Sequence, residues 1–274
     1  MLVVLKRNWK LYVFEAIELA IFMISACAFT VLLFDPSRVA MRIVPSAAVR
    51  RLLMGIAMGM TAIFIIHSPM GKRSGAHFNP AISLTYFRLG KMVKWDALFY
   101  IVFQFLGGTL GVGVAALFLR NSISTKQVDY AVTVPGRAGT AAAFLAEFFM
   151  ASILMGVVLW TSNRPPLAKY TSYLVGMLIA VYILLFAPVS GFSINPARTT
   201  GSAVFAGIWT AGWLYFVAPV LGMLCSAEIY LRIFGPEGVL CAKLHPDPEY
   251  LCPFLCQFPL HRHQIDLDRT GNDV

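Results

Sequence analysis

Charge is what this sequence has least of. Of its 274 residues only 13% are charged, 58% are hydrophobic, and the mean hydropathy is +0.73. A soluble domain carries about a quarter charged residues, so an ordinary soluble fold is excluded. The few charges are also unevenly spread. Leu52–His67, Tyr170–Asn195 and Thr199–Ser226 contain none, while Ala16–Phe34, Trp95–Leu119 and Thr140–Asn163 contain only Glu18, Asp96 and Glu147. Cysteine is scarce as well. Cys27 and Cys225 lie in apolar runs and Cys241, Cys252 and Cys256 near the C-terminus, which excludes a disulfide framework. No nucleophile–base constellation is visible, which argues against an enzyme. The net charge of +9 is not a nucleic-acid signature, because Lys and Arg gather at the ends of the apolar runs.

What is present is length without charge. Apolar runs of about 20 residues match the ~30 Å hydrocarbon core of a bilayer. Six spanning helices are expected, near 11–33, 52–69, 95–119, 140–162, 170–188 and 211–234. Placing the N-terminus inside puts twice as many Lys and Arg inside as outside, so both termini are expected on the cytoplasmic side. The first apolar segment has no small-residue cleavage site and carries two carboxylates, so no cleavable signal peptide is read there.

One polar phrase occurs twice. SGAHFNPA begins at Ser74 and SGFSINPA at Ser190, with Ser, Gly, Asn, Pro and Ala in the same places. Glu15 and Glu147 stand at matching places inside the first helix of each set of three. A duplicated unit with an odd number of helices must insert in opposite senses, so the halves, about 11–119 and 140–234, form an inverted repeat. After each phrase the apolar segment, Asn79–Phe87 or Asn195–Phe205, is half the length needed to span. Pro suits a first helical turn and Asn suits a cap. Each phrase therefore reads as the start of a half-helix that enters the membrane and stops, its N-terminal positive end facing the other's at the midplane.

These residues resemble the aquaporin, or major intrinsic protein, superfamily over roughly residues 11–234. The anchors are SGAHFNPA, SGFSINPAR, Glu15, Glu147, Gln104 in YIVFQFLGG, and WLYFVAPVLG in the last long helix. The resemblance implies an all-α membrane protein of six transmembrane helices and two re-entrant half-helices, forming a homotetramer in the lipid bilayer with one pore per subunit. It implies pore motifs at Asn79, Pro80, Ala81, Asn195, Pro196 and Ala197, and structural support from Glu15, Glu147 and Gln104. The carbonyls of Gly75–Phe78 and Gly191–Ile194 are expected to receive hydrogen bonds from permeating water. Counting back without gaps from each Asn-Pro-Ala, the filter positions carried over are Gly59, Ile183, Phe192 and Arg198.

That filter departs from both familiar subclasses. Water-type members have an aromatic and a histidine at the two helix positions, and glycerol-type members have an aspartate where this chain has Thr199. Glycine at 59 is expected to widen the filter and Ile183 to remove a polar contact. The expectation is a passive channel for water and small uncharged solutes such as glycerol and urea, closed to ions and protons, needing no cofactor. A strict water channel with a refilled filter, a secondary transporter and a structural junction protein are the alternatives. The expected location is a plasma or inner membrane.

Residues 235–274 stand apart as a cytoplasmic tail. Cys241, His245, Cys252 and Cys256, followed by His261 and His263, crowd thiols and imidazoles into a short stretch. Such donors suit Zn²⁺, although the spacing matches no standard finger.

Overall fold

The structure is a computed structural model that describes residues 1–247, 249–250 and 252–257. Among the described residues, six helices are long and apolar enough to cross a bilayer. They are α1 (Leu2–Phe34), α2 (Ala47–His67), α4 (Lys94–Leu119), α5 (Gly139–Ser162), α6 (Thr171–Ser190) and α8 (Leu214–Phe234). Among the shorter helices between them are α3 (Pro80–Arg88) and α7 (Pro196–Ala206). Each begins as the phrase dictates. The Asn79 side chain caps α3 by accepting from Ala81 N, and Asn195 caps α7 by accepting from Ala197 N and Arg198 N, with Pro in the first turn of both.

The packing repeats. Helix α1 lies on α4 as α5 lies on α8, and each half-helix leans on the last helix of the opposite half, α7 on α4 and α3 on α8. The outward faces are apolar and exposed, as at Leu110, Leu117 and Phe118 of α4 and Ile153 of α5. In water such a surface would aggregate; in lipid it is the solvated one. An even number of crossings returns residue 235 to the side where α1 begins. The chain is an integral, multi-pass membrane protein.

Bundles in lipid close through small residues that let backbones touch. A β-carbon on Gly108 would stand 2.7 Å from Ala197 O, and one on Gly201 would stand 2.5 Å from Gly108 O, so α4 and α7 meet backbone to backbone. Gly59 belongs to the same class, which corrects its expected place in the filter. A β-carbon there would lie 2.4 Å from Gly176 O, and one on Gly55 would lie 2.5 Å from Ala180 O. Both glycines turn toward α6 and lock the α2–α6 crossing. The register obtained by ungapped counting fell on the helix-facing side of α2.

Gly59→Trp is therefore expected to damage folding rather than to tune passage, since overpacking at a tight contact costs about 1–3 kcal/mol or more. Size-exclusion profile and thermal unfolding in detergent check this. A variant as stable as wild type with an altered solute preference would return Gly59 to the pore wall.

Candidate functional site: the midplane seam and its filter

Where the half-helices meet, the chain runs as loop inside the membrane. The backbone there repeats in detail. Ala76 and Phe192 have φ of 56° and 54°, and Phe78 and Ile194 have φ of 30° and 47°. Non-glycine residues in the left-handed region cost about 1–3 kcal/mol each and persist only if the surroundings impose them.

Two buried carboxylates impose them. Glu15 accepts from His77 N at 3.0 Å and from Phe78 N at 2.7 Å. Glu147 accepts from Ser193 N at 2.9 Å and from Ile194 N at 2.5 Å. Both glutamates are 0% exposed. Gln104 Nε2 donates to Glu15 at 2.7 Å and to Ser83 Oγ at 3.0 Å, which fixes the carboxylate from behind. Glu18 also has a partner in this frame. Ser74 Oγ donates to it at 2.8 Å, whereas the matching Ser190 Oγ donates to Glu147 at 2.7 Å. The first half thus divides between two carboxylates what the second half places on one.

A tyrosine pair escaped the sequence reading. Tyr100 OH donates to Ser74 O at 2.7 Å and Tyr215 OH to Ser190 O at 2.6 Å. The signal was present, since each tyrosine follows its phrase at nearly the same distance.

The two loops are stitched to each other. Asn79 Nδ2 donates to Ile194 O and Asn195 Nδ2 to Phe78 O, both at 2.8 Å. Two carbonyls expected to serve permeating water are thereby taken by the opposite asparagine, and Gly75 O accepts from Leu244 N at 3.1 Å. Among the described residues, no protein donor reaches the carbonyls of Ala76, His77, Phe192 or Ser193.

Two cavities lie along one line. A cavity of about 310 Å³ opens on the side away from the tail, walled by Met54, Ile183, Phe192 and Arg198 among others. A smaller one of about 50 Å³ sits at the seam. Its wall includes the apolar Phe22, Ile82, Leu154 and Val175 and the polar Asn79 and Asn195. Phe192 and Arg198 border both, so they form the waist between them. Ile183 borders the outer cavity only, and the side chains that α2 gives to this wall are Arg51 and Met54, not residue 59. Arg198 Nη1 donates to Ala131 O at 2.7 Å, and the side chain is oriented by that bond from the loop between α4 and α5. Among the described residues, no carboxylate borders either cavity.

The residues named for metal binding do not all gather. The Sγ atoms of Cys241, Cys252 and Cys256 lie within 4.8 Å of one another. His245 is not in that group; its ring lies 4.5 Å from that of His67. His261 and His263 lie outside the described residues.

A family model described as major intrinsic protein matches residues 3–230. Aquaporin A of Dictyostelium discoideum is 31% identical over 216 residues, covering 76% of this chain and 74% of that one. A probable aquaporin of NIP type from Nicotiana alata is 30% identical over 187 residues, covering 68% of this chain and 67% of the other. Aquaporin Z of Rhodopseudomonas palustris is 28% identical over 203 residues, covering 70% and 83%. Among solved structures, the aquaglyceroporin of Plasmodium falciparum superposes with a TM-score of 0.69 over 84% of this chain and 98% of its own. At 19% identity that likeness is one of fold.

Replacing Glu147 by Gln should lower thermal stability measurably. The amide offers a single acceptor oxygen to two loop N–H groups, and an unsatisfied buried donor costs about 1–3 kcal/mol. Glu228→Gln is the control, because Glu228 pairs with Arg88 at 2.7 Å on an exposed surface where such pairs contribute little. Equal melting temperatures for the two variants would contradict the role given to Glu147.

Proposed function

This chain belongs to the major intrinsic protein family, whose members are channels and not enzymes, and on that footing we propose that it is a passive pore for water and small uncharged solutes that excludes ions. The observation that carries the proposal is the stitched asparagine seam. Each asparagine spends its oxygen on its own half-helix and one N–H on the other loop. The remaining amide hydrogens are donors beside the central cavity, at the meeting of two helix N-termini. Each terminus contributes about half a positive charge, and Arg198 adds a full one at the waist. A cation arriving there would lose its hydration and meet only positive potential, because Glu15, Glu18 and Glu147 are committed to the loops. A water oxygen accepts from the asparagines at no such cost. The principle is that of aquaporin-type selectivity, in which pore diameter, lining donors and electrostatic barriers act together.

The solute range rests on a narrower base than the sequence suggested. With Gly59 packed against Gly176, no gap in α2 widens the filter. What supports passage of polyols or urea is the apolar wall of Ile183 and Phe192 facing Arg198, which suits a solute with one carbon face and one polar face. The same packing of Gly59 favours the strict water reading, and the two are separated by measurement. We assign the tail side to the cytoplasm from the excess of Lys and Arg there. A homotetramer in a plasma or inner membrane is the assembly that membership of the family suggests.

The test is a permeability panel on reconstituted protein, using water, glycerol, urea and K⁺. Expected are non-saturating passage of the neutral species with a low activation energy and no K⁺ current. Asn79→Asp and Asn195→Asp place a carboxylate among the positive ends and should admit K⁺. A wild type that conducts K⁺, or that takes up solute saturably and only with a coupled ion, would overturn the proposal.

Ile183→His should lower the glycerol-to-water ratio several-fold by adding polar bulk to the outer cavity beside the waist. If wild type passes water alone, the pore is the strict water channel.

A further inference from the structure

The segment after α8 does not leave the protein; it folds back into the mouth of the pore. Val239, Cys241, Ala242, Lys243 and Leu244 are all buried. Asn163, at the end of α5, holds the turn, its Oδ1 accepting from Leu240 N at 2.7 Å and from Cys241 N at 3.2 Å. From there the chain reaches the first re-entrant loop. His77 Nε2 donates to Ala242 O at 2.7 Å, leaving Nδ1 to accept from Ser83 Oγ at 3.1 Å. Leu244 N donates to Gly75 O, and the Leu244 side chain stands in the wall of the central cavity beside His77 and Asn79. The Phe254 ring stacks flat on His77 at 5.4 Å. It occupies the space over Gly75, where a β-carbon would meet it at 2.8 Å. Thus a carbonyl that a water file would use is already bonded, and a leucine and a phenylalanine cover the exit.

Both covering pieces are tied to the same three sulfurs. Cys241 precedes the stretch 242–244, and Cys252 and Cys256 bracket Phe254. The Cys241 and Cys252 sulfurs are 3.3 Å apart. A zinc ion with Zn–S bonds of about 2.3 Å holds tetrahedral sulfurs about 3.8 Å apart, so only small movements separate this cluster from a metal shell. The surroundings fit such an ion. Lys243 N–H points at Cys241 Sγ at 3.4 Å, the backbone-to-sulfur contact that supports a thiolate ligand. The Lys243 side chain is 0% exposed beside the three sulfurs, with Nζ donating to Tyr250 O at 2.9 Å. Three thiolates, one divalent cation and one ammonium sum to zero charge, which removes most of the penalty of burying each alone. Three neutral thiols offer only weak hydrogen bonds.

The geometry points to a thiolate site for Zn²⁺ or a similar thiophilic divalent ion at Cys241, Cys252 and Cys256, whose occupancy clamps residues 242–244 and Phe254 over the tail-side mouth and closes the pore. Zinc loss releases the sulfurs from one another. The two covering pieces are then held to the mouth by their individual hydrogen bonds and by the partly exposed Lys72–Asp247 pair at 2.8 Å. The site binds metal whether or not the protein conducts; the closure rests on the pore reading given above.

The experiment uses the full chain, purified by a tag that binds no metal and reconstituted in liposomes. Elemental analysis of zinc-supplemented wild type should find about one Zn²⁺ per chain, and C241S/C252S/C256S should hold none. Thiol titration of the denatured, zinc-free wild type should find every cysteine reduced. Zinc-loaded wild type should pass water little faster than bare lipid. A membrane-permeant zinc chelator, or the triple substitution, should raise that rate several-fold. Leu244→Ala keeps all three ligands, so it should bind zinc fully and still leak, which guards against a triple variant that fails to fold. Absence of zinc, or a Cys241–Cys252 disulfide in its place, overturns the site. Full zinc binding with equal water flux in wild type, chelator-treated protein and Leu244→Ala overturns the closure, provided that flux exceeds bare lipid. Flux no greater than bare lipid in every folded form overturns the pore reading instead.

Discussion

Loop backbone cannot lie in the middle of a membrane unless each of its polar groups finds a partner, and here two buried glutamates supply the partners that count. A hydrogen bond to a charged acceptor contributes about 1.5–3 kcal/mol, more than a neutral one. Glu15 and Glu147 each accept two from adjacent loop amides. That is enough to hold Ala76, Phe78, Phe192 and Ile194 in left-handed conformations that side chains ordinarily avoid. With the backbone so held, Asn79 and Asn195 reach across the seam, two half-helices can stop at the midplane, and a cavity can exist between them.

The two halves share this frame and differ in what closes it. On the second half's side the waist is guarded by Arg198, oriented by Ala131 O, and opens into a cavity of about 310 Å³. On the first half's side His77 takes the place of a free vestibule wall and bonds to the returning tail. Ser74 is served by Glu18, a carboxylate for which the second half has no counterpart, Met150 standing at the matching step from Glu147. In the proposed reading one end is an electrostatic filter and the other a covered mouth.

Much of this was legible in the sequence because membrane folding leaves few choices. Six runs with at most one charge each can only span, and a repeated cap-and-proline phrase followed by too short a run can only start a half-helix. Glu15 and Glu147 stood out as the carboxylates that recur at the same place in otherwise apolar helices. Gly59 was misplaced because α2 beyond Arg51 is almost uniformly apolar. Lipid-facing, helix-facing and pore-facing positions there share one composition, so counting alone could not separate them. Only the distance to Gly176 O does so. The tail was half legible. Its cysteines announced themselves, but their gathering depends on Asn163 and His77, which draw the chain back into the mouth. The same fold carries His245 to His67 and away from the sulfurs. Nothing in the spacing of the tail encodes that path.

Held by the two glutamates, the re-entrant loops should be as rigid as the helices around them. Hydrogen–deuterium exchange of the reconstituted protein, followed by peptide mass spectrometry, reads the amides of His77, Phe78, Ser193 and Ile194 directly. Peptides covering 74–79 and 190–195 should exchange as slowly as the middle of α4 and α5, although residues 75–79 and 191–195 lie in neither helix nor strand and border a cavity. Exchange at the rate of the exposed connection around 164–170 would contradict that rigidity.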